Sequence, residues 1–115
     1  MRLAVIGSRT FGDFELLSKS LDEFNDHSKI TLIVSGGARG ADSLAERYAK
    51  ERGIEVKVFL PDWERFGKSA GFRRNHDIIA ECDACIAFWD GSSKGTLSSI
   101  ELARKKGARV EIIKF

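Results

Sequence analysis

Five short apolar runs, at about 2–7, 30–35, 54–60, 84–89 and 108–114, alternate without interruption with helical patterns at about 13–26, 41–53, 70–81 and 96–107. Strands this short, separated each time by a helix long enough to carry the chain back across a sheet, predict parallel pairing with helices on both faces. In the first helical stretch Phe14, Leu17, Leu21 and Phe24 recur at helical spacing, which gives it one buried stripe. Gly53 and Gly107 stand where the second and fourth helices should stop. The expected architecture is α/β, a single domain over residues 1–115 with three α/β/α layers, about five parallel strands and four helices.

Composition narrows the function classes. No apolar run approaches the roughly 20 residues of a membrane span, and Met1 to Gly7 is too short an apolar stretch for a signal peptide, so a cytoplasmic location with no membrane partner is expected. A formal charge of +2 and a pI near 8.6 are small, and on that ground nucleic acid is not expected among the partners. Cys82 and Cys85 form a lone CxxC, but Cys82 ends a helix and Cys85 opens a strand, the reverse of the redox arrangement. They read as two small buried residues. With only His27 and His76 to complete a ligand set, no metal site is evident.

Ligands of parallel sheets collect beyond the carboxyl ends of the strands, near the point where strand order reverses. Four informative stretches fall at that edge. The second, Ser35-Gly36-Gly37-Ala38-Arg39-Gly40-Ala41-Asp42, passes from a strand through glycines into a helix, a geometry that presents backbone N–H groups to an anion. Phosphate is expected on the backbone of Gly36, Gly37 and Gly40. Asp42 has two readings, as acceptor for ribose hydroxyls or as a favourable charge on the first helical turn, and Arg39 is either solvated or paired with a ligand anion. The first stretch, Gly7-Ser8-Arg9-Thr10, faces this loop and offers the Ser8 hydroxyl and the Arg9 cation.

The third stretch is the longest connection, Pro61 to Asn75, which interleaves Trp63, Phe66 and Phe72 with Arg65, Lys68, Arg73 and Arg74. Aromatic planes among cations suit a base and its phosphates, with Lys68 and Arg74 on phosphate, Asn75 on sugar and Trp63 on the base. Gly67-Lys68-Ser69 matches the end of a Walker loop, but that loop needs glycine where Asp62 stands, so nucleoside triphosphatase chemistry is rejected. The fourth stretch, Asp90 to Thr96, is a second small-residue turn opening a helix, with Gly95 and Thr96 placed to hold the far end of a ligand.

Read together, GSRTF at 7–11, SGGARGAD at 35–42, PDWERFGKSAGFRRN at 61–75 and SKGT at 93–96 resemble the SLOG superfamily of Rossmann-like domains, most closely its YspA-like branch. The resemblance spans nearly the whole chain and implies a nucleotide-derived small molecule as ligand. Of its branches, the cytokinin-activating phosphoribohydrolases imply cleavage of nucleoside monophosphates by an Arg and a Glu, with Arg74 at the Arg position. The Glu position falls on Ser99, and Glu101 lies about 200° away around the helix. Serine supplies no carboxylate for such chemistry. The DNA-processing protein A branch, similar at Ser35 to Asp42 and from Arg74 to Ala80, implies single-stranded DNA binding. The sensor branch implies binding of an NAD-, ADP-ribose- or AMP-like compound without turnover, as a homo-oligomer or beside an effector protein, with no resident cofactor. The sequence reading favours the last of these, with phosphoribohydrolase activity and DNA binding as alternatives.

Overall fold

In the computed structural model, which describes residues 1–115, the alternating pattern becomes β1 (Arg2–Gly7), α1 (Phe14–His27), β2 (Leu32–Ser35), α2 (Ala41–Arg52), β3 (Glu55–Val58), α3 (Trp63–Phe66), a 3₁₀ turn (Gly67–Ser69), α4 (Ala70–Glu81), β4 (Ala84–Trp89), α5 (Lys94–Lys106) and β5 (Arg109–Lys114). All strand pairs are parallel, in the order β3-β2-β1-β4-β5. The chain thus builds outward from β1 in one direction and then in the other. The reversal lies between β1 and β4, where the two crossovers part and leave a gap at the carboxyl edge.

Alternation along β1 divides the core in two. Leu3 and Val5 pack with Ile33, Ile86 and Phe88 under Leu17, Leu21 and Phe24 of α1 and Ala41, Ala45, Tyr48 and Ala49 of α2. Ala4 and Ile6 face the other way, with Val34, Cys85 and Ala87, onto Ile78 and Ile79 of α4 and Ile100 and Ala103 of α5. Leu17 and Leu21 are fully buried, each contributing about 1.5–3 kcal/mol of apolar transfer free energy. The Asp13 carboxylate accepts the Leu16 amide at 3.0 Å and starts α1. Cys82 and Cys85 are free and buried, and burial pushes the Cys85 thiol far above its ordinary value. No helix is long and apolar enough to cross a membrane.

The expected elements form with small shifts. β2 begins at Leu32 rather than residue 30, and β3 ends at Val58, where its last partner on β2 is Ser35. α5 starts at Lys94, two residues early, because the Ser93 hydroxyl accepts from Thr96 N at its head. The sequence pattern places no helix in the long third connection before residue 70. That connection contains α3 and the 3₁₀ turn, with the Asp62 carboxylate accepting the Arg65 amide at 3.1 Å.

Candidate functional site

The carboxyl edge of the sheet carries a crevice of about 370 Å³ over β1 and between the turns after β2 and β4, closed on one side by α4. Its wall combines Gly7, Ser8, Arg9 and Thr10 after β1, Ala38 and Asp42 after β2, Arg74, Asn75 and Ile78 from α4, and Asp90, Ser93, Gly95, Thr96 and Ser99 from the last turn and α5. Only three of its fifteen lining residues, Ile6, Ala38 and Ile78, are hydrophobic, and none is aromatic. A second cavity of about 260 Å³ adjoins it, lined by Arg9, Gly36, Gly37, Ala38, Arg39, Leu60, Pro61, Trp63 and Arg74. Arg9, Ala38 and Arg74 belong to both, so these residues form the partition between two chambers.

The glycine turn after β2 is built differently from the amide cradle expected of it. Asp42, only 8% exposed, turns its carboxylate back into the loop and accepts the Ala38 amide at 3.1 Å, while the Gly37 amide is donated to Ser35 Oγ at 3.3 Å. Of the amides expected to hold phosphate, that of Gly37 is thus taken by the Ser35 hydroxyl, and the Asp42 carboxylate occupies the neighbouring amide of Ala38. Burial pushes the Asp42 carboxyl above its ordinary value, with the Ala38 amide and the Arg74 cation pulling the other way. Gly37 and Gly40 are both in the left-handed region, at φ +69° and +77°. A Cβ on Gly40 would run into the Ser8 carbonyl and the Arg9 backbone, so this glycine seats the loop on the β1 turn rather than facing ligand.

Arg74 is held by its neighbours. Its Nη1 donates to the Gly36 carbonyl and its Nε to Asn75 Oδ1 at 2.9 Å. Burial lowers its affinity for a proton, Asp42 opposes that, and the cation of Arg9 adds to it. Two guanidinium groups thus stand close enough to feel each other at the partition, a placement that favours an anion between them.

Across the crevice, Asp90 Oδ1 accepts the amides of Ser92 and Ser93 at 2.9 and 2.8 Å, which hold its carboxyl below the ordinary value. The Asp90 amide donates in turn to Ser8 Oγ at 3.4 Å, tying the first turn to the fourth. With Arg9 and Arg74 set against Asp42 and Asp90, the crevice is nearly balanced in charge. The second cavity is not: three arginines and no carboxylate line it.

Of the residues singled out from sequence, Gly7, Ser8, Arg9, Asp42, Arg74, Asn75, Gly95 and Thr96 line the crevice, and Gly36, Gly37, Arg39 and Trp63 line the second cavity. Gly40 and Lys68 line neither; Lys68 sits exposed on the 3₁₀ turn. Ser99 faces the crevice and is buried, whereas Glu101 points to solvent on the outer side of α5. The geometry adds Thr10, Ser93 and Ser99 to the crevice and Leu60 and Pro61 to the second cavity. Leu60 was hidden by its place at the end of an apolar run, where it reads as strand, and Pro61 opens the third connection without a side chain that marks a ligand contact.

Residues 1–66 match the model of the YspA, cpYpsA-related SLOG family. The chain is 36% identical over 121 residues to the gene 61 protein of Mycobacterium phage D29, covering 99% of this chain and 95% of that protein. Its fold is also that of DNA processing protein A from Streptococcus pneumoniae (TM-score 0.77, 22% identity, 99% of this chain and 50% of that one). The same protein from Helicobacter pylori, solved for its unique single-stranded DNA binding mode, superposes with a TM-score of 0.74 at 22% identity, over 97% of this chain and 64% of that one. This chain therefore spans half to under two thirds of those two structures. The expectation that nucleic acid lies outside the partners of such a chain is corrected by these structures. It rested on the small net charge, which averages away a cavity at the sheet edge lined by three arginines and no carboxylate.

Proposed function

Because this chain belongs to the YspA, cpYpsA-related SLOG family, we propose that its two-chambered edge binds single-stranded nucleic acid, with a backbone phosphate at the Arg9–Arg74 partition and adjoining nucleoside units on either side. One observation carries this reading: the cations stand between two chambers rather than at the bottom of one. A ligand that satisfies the partition and both sides must continue past its phosphate, as a strand does. The hydroxyl-rich crevice suits a sugar, and the apolar surface suited to bases lies outside it, at Leu60 and Trp63. DNA processing protein A, whose fold this chain shares, supports the same reading through the Helicobacter pylori protein's single-stranded DNA binding mode.

A second reading, a free nucleotide-derived compound held without turnover, is favoured by the crevice itself. At about 370 Å³ it has room for one small ligand, and Ser8, Asp42, Asn75 and Thr96 offer donors and acceptors for a ribose. Fluorescence anisotropy of a labelled ten-residue oligodeoxythymidine across a salt series separates the two. Strand binding predicts log affinity falling by about 0.7 per log unit of salt for each phosphate contact. Arg39→Ala, which removes one exposed cation, should flatten the slope by about that amount. An oligonucleotide that fails to bind at low salt, while AMP or ADP-ribose is retained intact by the protein, would replace the first reading with the second.

A further inference from the structure

The second cavity has a composition of its own. One wall is the peptide backbone of Gly36 to Ala38, and opposite it stand Leu60, Pro61 and Trp63. Leu60 is 70% exposed and Trp63 54%, a large apolar surface to leave at the rim of a charged edge. Gly37 keeps this chamber open, because a Cβ there would meet Leu60 Cδ2 at 2.6 Å. The volume of about 260 Å³ lies below the roughly 300 Å³ at which pockets begin to take drug-sized ligands, so it admits one ring system rather than a whole nucleotide pair.

The neighbouring aromatics are already engaged. Phe66 has the guanidinium of Arg73 at 4.4 Å and that of Arg65 at 5.0 Å from its centroid, and Phe72 meets His76 edge-on at 4.8 Å. Trp63 has no ring or cation against it, and of the three it alone lines either of the two cavities at the sheet edge. We infer that this chamber is a nucleobase subsite, in which one base of the bound strand stacks on Trp63 against Leu60 while its phosphate lies at the Arg9–Arg74 partition, with Arg39 beside it. The inference rests on the strand reading above and deepens it by assigning a base, rather than a second phosphate, to the arginine-rimmed side. Every base has a π-face, and Trp63 and Leu60 offer it apolar surface for stacking, so the subsite accepts all four bases.

The test uses the intact chain and two sets of probes. Anisotropy compares oligodeoxythymidine with an abasic deoxyribose-phosphate strand of the same length, on the parent, Trp63→Ala and Trp63→Tyr. Trp63 is exposed, and unchanged thermal melting of the variants shows that they fold. Trp63→Ala should weaken oligodeoxythymidine about tenfold, Trp63→Tyr much less, and the abasic strand should bind parent and Trp63→Ala alike. Equal affinity for both strands, or no effect of Trp63→Ala while Arg39→Ala still weakens binding, overturns the base subsite and leaves strand binding standing. ¹⁹F spectra of protein labelled with fluorotryptophan at Trp63 and Trp89 are then recorded with dAMP and with deoxyribose 5-phosphate. If no strand binds, a Trp63 resonance shifted by dAMP alone supports the subsite and overturns only the strand reading, and an unmoved resonance overturns both.

Discussion

The turns after β2 and β4 share their parts list, with glycine, small residues and one aspartate whose carboxylate accepts the turn's own amides. In the first, Asp42 is buried against Arg74 and its carboxyl is pushed up by the loss of water. In the second, Asp90 is exposed and its carboxyl is held down by the Ser92 and Ser93 amides. The glycines differ likewise: Gly40 is pressed against the β1 turn, and Gly95 has open space around its Cα. A motif read from residue types would treat the two turns as equivalent. Packing makes the first a close-packed partition with a carboxyl group inside it and the second a solvated turn leading into α5.

The largest effect that would test this contrast is expected at Gly40. Gly40→Ala should cost about 3 kcal/mol or more in a urea melt, from strain at positive φ together with overlap on the Ser8 and Arg9 backbone. A nearly neutral variant would mean that the β2–α2 turn is free to lift off the β1 turn, and the partition would lose its rigidity.

The pH dependence of two amide variants should have opposite signs. Because the folded value of Asp42 is raised, its stabilising contribution is complete below the unfolded value, near 3.9, and is lost as pH rises through the folded value. Asp42→Asn removes that loss, so its melting temperature relative to the parent should climb as pH rises above about 4. The folded value of Asp90 is lowered, so its contribution is present above about 3.9 and lost as pH falls through the folded value. The relative melting temperature of Asp90→Asn should therefore drop as pH rises toward about 4. Scanning fluorimetry from acid to neutral pH reads both, and parallel trends would erase the electrostatic half of the contrast.

The smallest effect sharpens it from the other side. Gly95→Ala, inside α5 and facing no neighbour, should stabilise the protein by about 0.5–1 kcal/mol through helix propensity. A loss at Gly95 comparable to that at Gly40 would mean that the two turns are equally constrained after all.

The sheet and its four long helices were legible because alternating apolar runs and helical stripes such as Phe14-Leu17-Leu21-Phe24 record burial directly. α3 was not, since four residues are too few to show a period. The clustering of Ser8, Arg9, Arg74 and Thr96 at one edge followed from strand direction alone. What Asp42 does with its carboxylate did not, because a sequence shows a donor loop and an acceptor without showing that one fills the other. Arg39 and Arg74 illustrate the same limit. Both are cations near the glycine turn, yet Arg39 reaches only the outer chamber, while Arg74 borders both because α4 brings it to the partition.

The strand order also has a consequence for how the chain comes off the ribosome. β1 lies in the middle of the sheet, and its second neighbour, β4, pairs Leu3 with Ala84 and Gly7 with Phe88. A nascent chain that has emerged as far as Phe66 can join β1 to β2 and β3, but the other edge of β1 stays bare and its Ala4 and Ile6 face lacks α4 and α5. An open edge beside an uncovered apolar face is what aggregation templates and chaperones recognise. The half-made protein therefore stays vulnerable until β4 has paired with β1 and α4 and α5 have covered that face, and the same late segments bring Arg74, Asn75 and the residues from Asp90 to Ser99 that complete the crevice.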